Sequence, residues 1–229
     1  MVIFNPNWYN KFVRSTNEKN LLVNKISDIL AGKPHKSCLE IGLGTSPYFA
    51  QQIAGNFEKY VVVERHMVKD PLPNGAQLVN TDWEDVQLEE KFDAIIASHV
   101  IYYFKNKKNA VEKMFDSLNN GGRVIFVVNG KESDYGPLKL FFSELVGEKY
   151  KFTYDELLKI LKGREIREYT LSSEIRFSSF EELFDTLRLS FDNYPDKYEK
   201  FRAEIIEYFK KNIRGKKFIL DQKIIEIQK

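Results

Sequence analysis

The chain has 229 residues, 35 basic and 33 acidic side chains for a formal net charge of +2, and 43% hydrophobic residues. That composition excludes a disordered chain, and so even a charge balance argues against a nucleic-acid or membrane partner. One cysteine, Cys38, forbids an internal disulfide, no apolar run reaches membrane-spanning length, and MVIFNPNWYN lacks the order of a signal peptide. The expectation is a cytoplasmic protein, with its oligomeric state left open.

From about residue 17 the pattern is helical, with Leu22, Ile26, Ile29 and Leu30 on one face. Ser15 and Glu18 stand at capping-box spacing, and Gly32 with Pro34 marks the stop. Strands are predicted at 37–41, 60–64, 76–80, 92–98 and 122–128, with helices near 47–55, 84–90 and 106–119 between them. Val- and Ile-rich runs without polar alternation suit a parallel sheet covered on both faces. After residue 128 come helices at 137–147 and from Thr153 to Gly163, then a strand at 165–171. Ser178 and Glu181 read as the cap of the next helix, a charged helix runs over 196–213, and KKFILDQKIIEIQK closes the chain as a strand or hairpin. The architecture expected is α/β, a doubly wound, mostly parallel sheet of seven strands with a helical insertion at about 176–214 before the last strand. Residues 1–229 read as one domain, with a lid region at 1–36, a core at 37–128 and a substrate-side half at 129–229.

The chemistry concentrates in CLEIGLGTSP, residues 38–47. Glycines at a strand-to-helix turn let backbone N–H groups approach a ligand. The dinucleotide fingerprint needs a third glycine, but counting from Gly42 through Gly44 reaches Pro47, which also lacks an amide donor. A nicotinamide or flavin dinucleotide is therefore disfavoured, and no Gly-Lys-Ser/Thr follows to make a phosphate loop. Three histidines in the chain, and no cluster at ligand spacing, leave no metal site to predict.

With Glu40 included, E-I-G-L-G-T-S resembles the first motif of the class I S-adenosylmethionine-dependent methyltransferases, with Ser46 at its last position. Further stretches match that family in order: YVVVE ending at Glu64, TDWED with Asp82 and Trp83, FDAIIAS ending at Ser98, and SLNNGGRVIFVV. The resemblance implies S-adenosyl-L-methionine as cofactor and S-adenosyl-L-homocysteine as product. It assigns Glu40 to the methionine end, Glu64 to the ribose hydroxyls, Asp82 to the adenine amino group and Trp83 to the ring. Gly42, Gly44, Ser46 and Ser98 complete the implied cofactor set. The cofactor carries no pyrophosphate, so the missing amide at Pro47 is no loss.

The substrate is expected beyond the carboxyl ends of the strands. His99 and Tyr102, in SHVIYYF, are the first pocket candidates, and Tyr103 is next. Either His99 is a pocket residue or it is simply a hydrogen-bonded strand end. Beyond the general family, F-x-R-S-T-x-E, YYF, VVNG and the insertion before a final K-K-F-x-L…I-I-E-I resemble histamine N-methyltransferase and its microbial look-alikes, which places Glu18 near an amine-binding position. The implied reaction is methyl transfer to a small molecule, with an amine nitrogen favoured. An RNA or protein methyltransferase and a catalytically inactive cofactor-binding protein are the alternatives; the N/D-P-P-Y/F signature of base-amine methylation is absent after strand four.

Overall fold

A computed structural model describes residues 5–31, 35–44, 46–66, 68 and 70–229. The helix stop expected at Gly32 and Pro34 lies outside the described residues, as does Thr45 of the glycine turn. In chain order the elements are α1 (Pro6–Ser15), α2 (Glu18–Leu30), β1 (Ser37–Ile41), α3 (Tyr48–Ile53), β2 (Lys59–Val63), β3 (Ala76–Val79), β4 (Phe92–Ser98), α4 (Lys107–Asp116) and β5 (Leu118–Asn129). Then follow α5 (Tyr135–Val146), α6 (Thr153–Ile160), β6 (Arg167–Arg176), α7 (Phe180–Thr186), α8 (Pro195–Lys200), α9 (Arg202–Asn212) and β7 (Lys217–Gln228).

The strands join in one sheet of order β3-β2-β1-β4-β5-β7-β6. Strands β1 to β5 are parallel where they pair, as a doubly wound sheet requires. The last two strands are not. Gly121 bonds Lys229 while Gly130 bonds Asp221, so β7 runs against β5. Likewise Ser173 reaches Leu220 and Thr170 reaches Lys223, so β6 runs against β7. The sheet is thus mostly parallel with an antiparallel pair at one end.

The chain divides into two compact units. The α/β unit comprises Leu22–Val128, Thr153–Thr170 and Lys223–Lys229. On one face of its strands Leu39, Ile41, Val61, Val63, Ile95 and Phe126 pack with Ala110, Val111, Met114 and Phe115 of α4. Burying each large aliphatic side chain contributes about 1.5–3 kcal/mol, which explains why these strands tolerate no polar alternation.

The aromatic unit comprises Met1–Leu21, Asn129–Phe152 and Leu171–Gln222. Its core stacks Phe184 and Phe191 on Tyr198, with centroids 4.3 and 4.4 Å away. The high aromatic content of the sequence is largely consumed here. Lys139 of α5 is buried in this core, donates to the Ser190 carbonyl, and lies 4.0 Å from the Phe191 ring centroid and 5.2 Å from that of Tyr135. Burial lowers its pKa to about 7, against an opposing pull from Asp192. Between pH 10.5 and about 7 the unfolded chain therefore binds a proton that the folded one refuses, and the lysine's contribution to stability rises with pH. Lys139→Met should accordingly be more stable than the parent at pH 7, with the gap closing as urea titrations move towards pH 10.

Three local expectations change, and one open alternative is decided. No helix forms over 84–90; instead the Lys113 ammonium binds the carbonyls of Trp83, Glu84 and Val86, which a helix would need as acceptors. Ser15 does not cap α2. It ends a separate helix, α1, and its hydroxyl donates to the Lys11 carbonyl, while Thr16 accepts from the Glu18 N–H. The cap of α7 sits one residue later than read: Ser179 accepts from the Glu182 N–H, and Glu182 accepts from the Ser178 N–H. The closing segment is one strand, not a hairpin. Among the described residues no helix is long and apolar enough to cross a membrane.

Candidate functional site

Parallel pairing brings Ile41, Val63 and Ala97 into register, so Gly42 and Glu64, which follow β1 and β2, and Ser98, the last residue of β4, lie at one end of the sheet. The turn after β1 needs glycine for two separate reasons. Gly42 and Gly44 have φ of 80° and 70°, a left-handed region that side chains disfavour. A Cβ at Gly42 would also come within 2.6 Å of Val100 Cγ2. Sterics thus keep a side-chain-free cradle at the carboxyl end of β1.

Glu64 stands over this turn. Although buried, its Oε2 accepts the Gly44 N–H at 2.8 Å and its Oε1 accepts the His66 N–H at 2.7 Å. Two charge-assisted bonds fix the carboxylate and leave each oxygen a further lone pair. Asn80 holds the next stretch of backbone, donating to the Glu64 carbonyl at 2.7 Å. Glu40, the second acidic residue read from the motif, is buried on β1 and accepts the Tyr60 hydroxyl at 2.8 Å.

The other expected residues divide. Ser46 in the turn and Ser98 at the end of β4 are both half-buried. Asp82 is partly exposed and pairs with Arg65 at 3.5 Å. Trp83 requires correction. Only 3% exposed, its indole N–H donates to the Ala110 carbonyl at 3.0 Å and its ring packs in the sheet core. That ring is a packing residue with almost no face left for a base. His99 and Tyr102 do come together: Nδ1 lies 3.3 Å from the Tyr102 hydroxyl and the rings are near-parallel with centroids 6.0 Å apart. His99 has φ of 52°, a strained conformation for a non-glycine residue at the mouth of the sheet.

Glu18 belongs to the aromatic unit, where it is buried and accepts from Gln222 Nε2 at 2.9 Å. The same amide nitrogen donates to Ser173 Oγ at 2.9 Å, and Gln222 Oε1 is buried with no donor among the described residues. Phe12 of α1 packs against the aromatic core. Tyr60, Val100 and Gln222 were not foreseen. Each acts on a residue the motif did supply, but only strand register or burial reveals it. Among the described residues no group of three or more His, Cys, Asp and Glu is placed to hold a metal ion.

A family model described as a methyltransferase domain matches residues 9–186. The chain belongs to the methyltransferase-domain family. Solved structures agree on the fold. The YcgJ protein of Bacillus subtilis superposes with a TM-score of 0.62 at 13% identity, covering 90% of this chain and 97% of that one. The N-methyltransferase NodS of Bradyrhizobium japonicum, in complex with S-adenosyl-L-homocysteine, gives 0.51 at 14% identity over 92% and 85%. Coclaurine N-methyltransferase, bound to N-methylheliamine and S-adenosyl-L-homocysteine, gives 0.52 at 12% identity over 90% and 70%. A search of curated proteins returns no match to the sequence. None of these findings carries the closer likeness to histamine N-methyltransferase.

Proposed function

We propose that this methyltransferase takes S-adenosyl-L-methionine as methyl donor, releases S-adenosyl-L-homocysteine, and methylates a small molecule, with an amine nitrogen as the favoured acceptor. The observation that carries the reading is the Glu64 carboxylate, held by the Gly44 and His66 amides beside the cradle at Gly42. A fixed carboxylate with open lone pairs suits two vicinal hydroxyls, and Pro47, at the start of α3, brings no amide donor for a pyrophosphate. The cofactor's chemistry is an electrophilic methyl on a cationic sulfur. Glu40, Gly42, Gly44 and Ser46 would hold its methionine end, Glu64 its ribose and Asp82 its adenine, with Ser98 at the neighbouring strand end.

The chain's remaining task is to present a nucleophile in line and unprotonated. His99 and Tyr102 are the residues assigned to pocket and proton handling. Glu18 is assigned to the amine, in keeping with the coarse likeness to histamine N-methyltransferase. Support comes from the Glu18 carboxylate itself, buried and oriented by the Gln222 Nε2–H, a charged acceptor suited to a cationic amine. The complexes of NodS and coclaurine N-methyltransferase, both N-methyltransferases, favour the same acceptor atom.

Calorimetric titration with S-adenosylmethionine tests the first half: saturable binding is expected, and none at millimolar cofactor would end the reading. A methyl-transfer screen over small amines, small hydroxyl compounds, RNA and protein tests the second. Turnover on amines alone is expected, with Glu18→Gln raising KM for the amine about tenfold or more through loss of a charged hydrogen bond. Turnover only on RNA or protein, or none on anything, selects one of the two alternatives.

A further inference from the structure

We infer that Tyr60 is a positioning residue of the cofactor site, its hydroxyl fixing the Glu40 carboxylate that faces the methionine end of the ligand. The inference rests on the cofactor reading above and adds a residue which no motif assigns. Tyr60 is the second residue of β2 and pairs in register with Cys38, two residues before Glu40 on the same face of β1. Its side chain is therefore one step along the sheet from the carboxylate, and the O–H donates to Glu40 Oε2 at 2.8 Å. Both groups are sealed from water, Tyr60 at 2% and Glu40 at 3% exposure.

A buried carboxylate that lacks donors either neutralises or swings towards water. Here the donor is built into the sheet. Rigid β-strand backbone sets its position, and the Phe57 ring, 5.8 Å from that of Tyr60, restrains its tilt. Burial, and secondarily the nearby Glu40 charge, push the Tyr60 phenol well above its ordinary value, so the group stays protonated and remains a donor across the neutral range. Packing alone does not account for the choice. Phenylalanine would fill the same volume in the run KYVVV, and the hydroxyl donates to the carboxylate.

The experiment compares two ligands that differ only in the amino-acid part. S-adenosylhomocysteine carries it, whereas 5′-methylthioadenosine keeps the nucleoside and the sulfur without it. Calorimetry on Tyr60→Phe should show S-adenosylhomocysteine weakened about tenfold, with 5′-methylthioadenosine within twofold of the parent. Adding Tyr60→Phe to Glu40→Gln should then cost little more than Glu40→Gln alone, since both substitutions disable one unit. Equal loss for both ligands, unchanged affinity for both, or additive losses in the double variant would overturn the inference while leaving the cofactor reading intact. If the parent protein binds neither ligand, the cofactor reading fails and this inference falls with it. Thermal unfolding of each variant checks that the fold is retained.

Discussion

Glu226→Ala is expected to lower folding stability by about 3–5 kcal/mol, the largest single-residue effect foreseen for this protein. Glu226 Oε1 lies 2.8 Å from Arg123 Nη1, and the two side chains are only 5% and 6% exposed. The second carboxylate oxygen accepts the Tyr169 hydroxyl at 3.1 Å, and burial together with this bond raises the Tyr169 pKa. Arg123 Nη1 also donates to the Ile29 carbonyl at 2.8 Å, in the last turn of α2, so the guanidinium ties β5 to that helix end. Truncating Glu226 strands a positive charge where water cannot reach it. Among the described residues Arg123 Nε is buried without a partner, and the remaining bond to the Ile29 carbonyl does not replace a full counter-charge. The pair itself is a poor stabiliser once desolvation is counted. Replacing both residues with methionine should therefore restore most of the loss. Urea titrations of the parent, the single variant and the double variant settle the matter. A loss below about 1 kcal/mol in Glu226→Ala would mean that water or a rearranged side chain reaches Arg123.

Glu64→Ala is expected to weaken S-adenosylmethionine binding by about 1.5–3 kcal/mol, or roughly 10- to 150-fold. Two losses combine. The ribose hydroxyls lose a charged acceptor, and the Gly44 and His66 N–H groups lose the oxygens that orient them. Glutamine is no silent substitute. Each oxygen of Glu64 faces a backbone N–H, so the NH2 of a carboxamide must confront one of these donors in either orientation. Glu64→Gln should thus lie between alanine and the parent in affinity. Unchanged cofactor affinity in both variants, measured by calorimetry on folded protein, would show that the end of β2 is not the ribose site.

The glycine turn was legible in the sequence because its demands are local. Gly42 and Gly44 adopt backbone angles that other residues resist, and a carboxylate following an apolar strand leaves the sheet at its end. The same locality explains the correct reading of five parallel strands, whose core faces admit few polar residues. Misreadings arose where a distant residue decided the outcome. The stretch 84–90 has helical spacing, but the ammonium of Lys113 on α4 takes its carbonyls. Trp83 adjoins Asp82 in the chain, yet its ring turns inward to the Ala110 carbonyl.

By itself, then, the sequence determined the sheet, the glycine cradle and the acidic residues proposed for the site. Only the tertiary structure decided which partner holds each acid: Tyr60, 20 residues from Glu40, and Gln222, 204 residues from Glu18. The physical reason is that backbone conformation follows from neighbours along the chain. The donor that makes a buried carboxylate tolerable is chosen by strand register and packing, which no local pattern records.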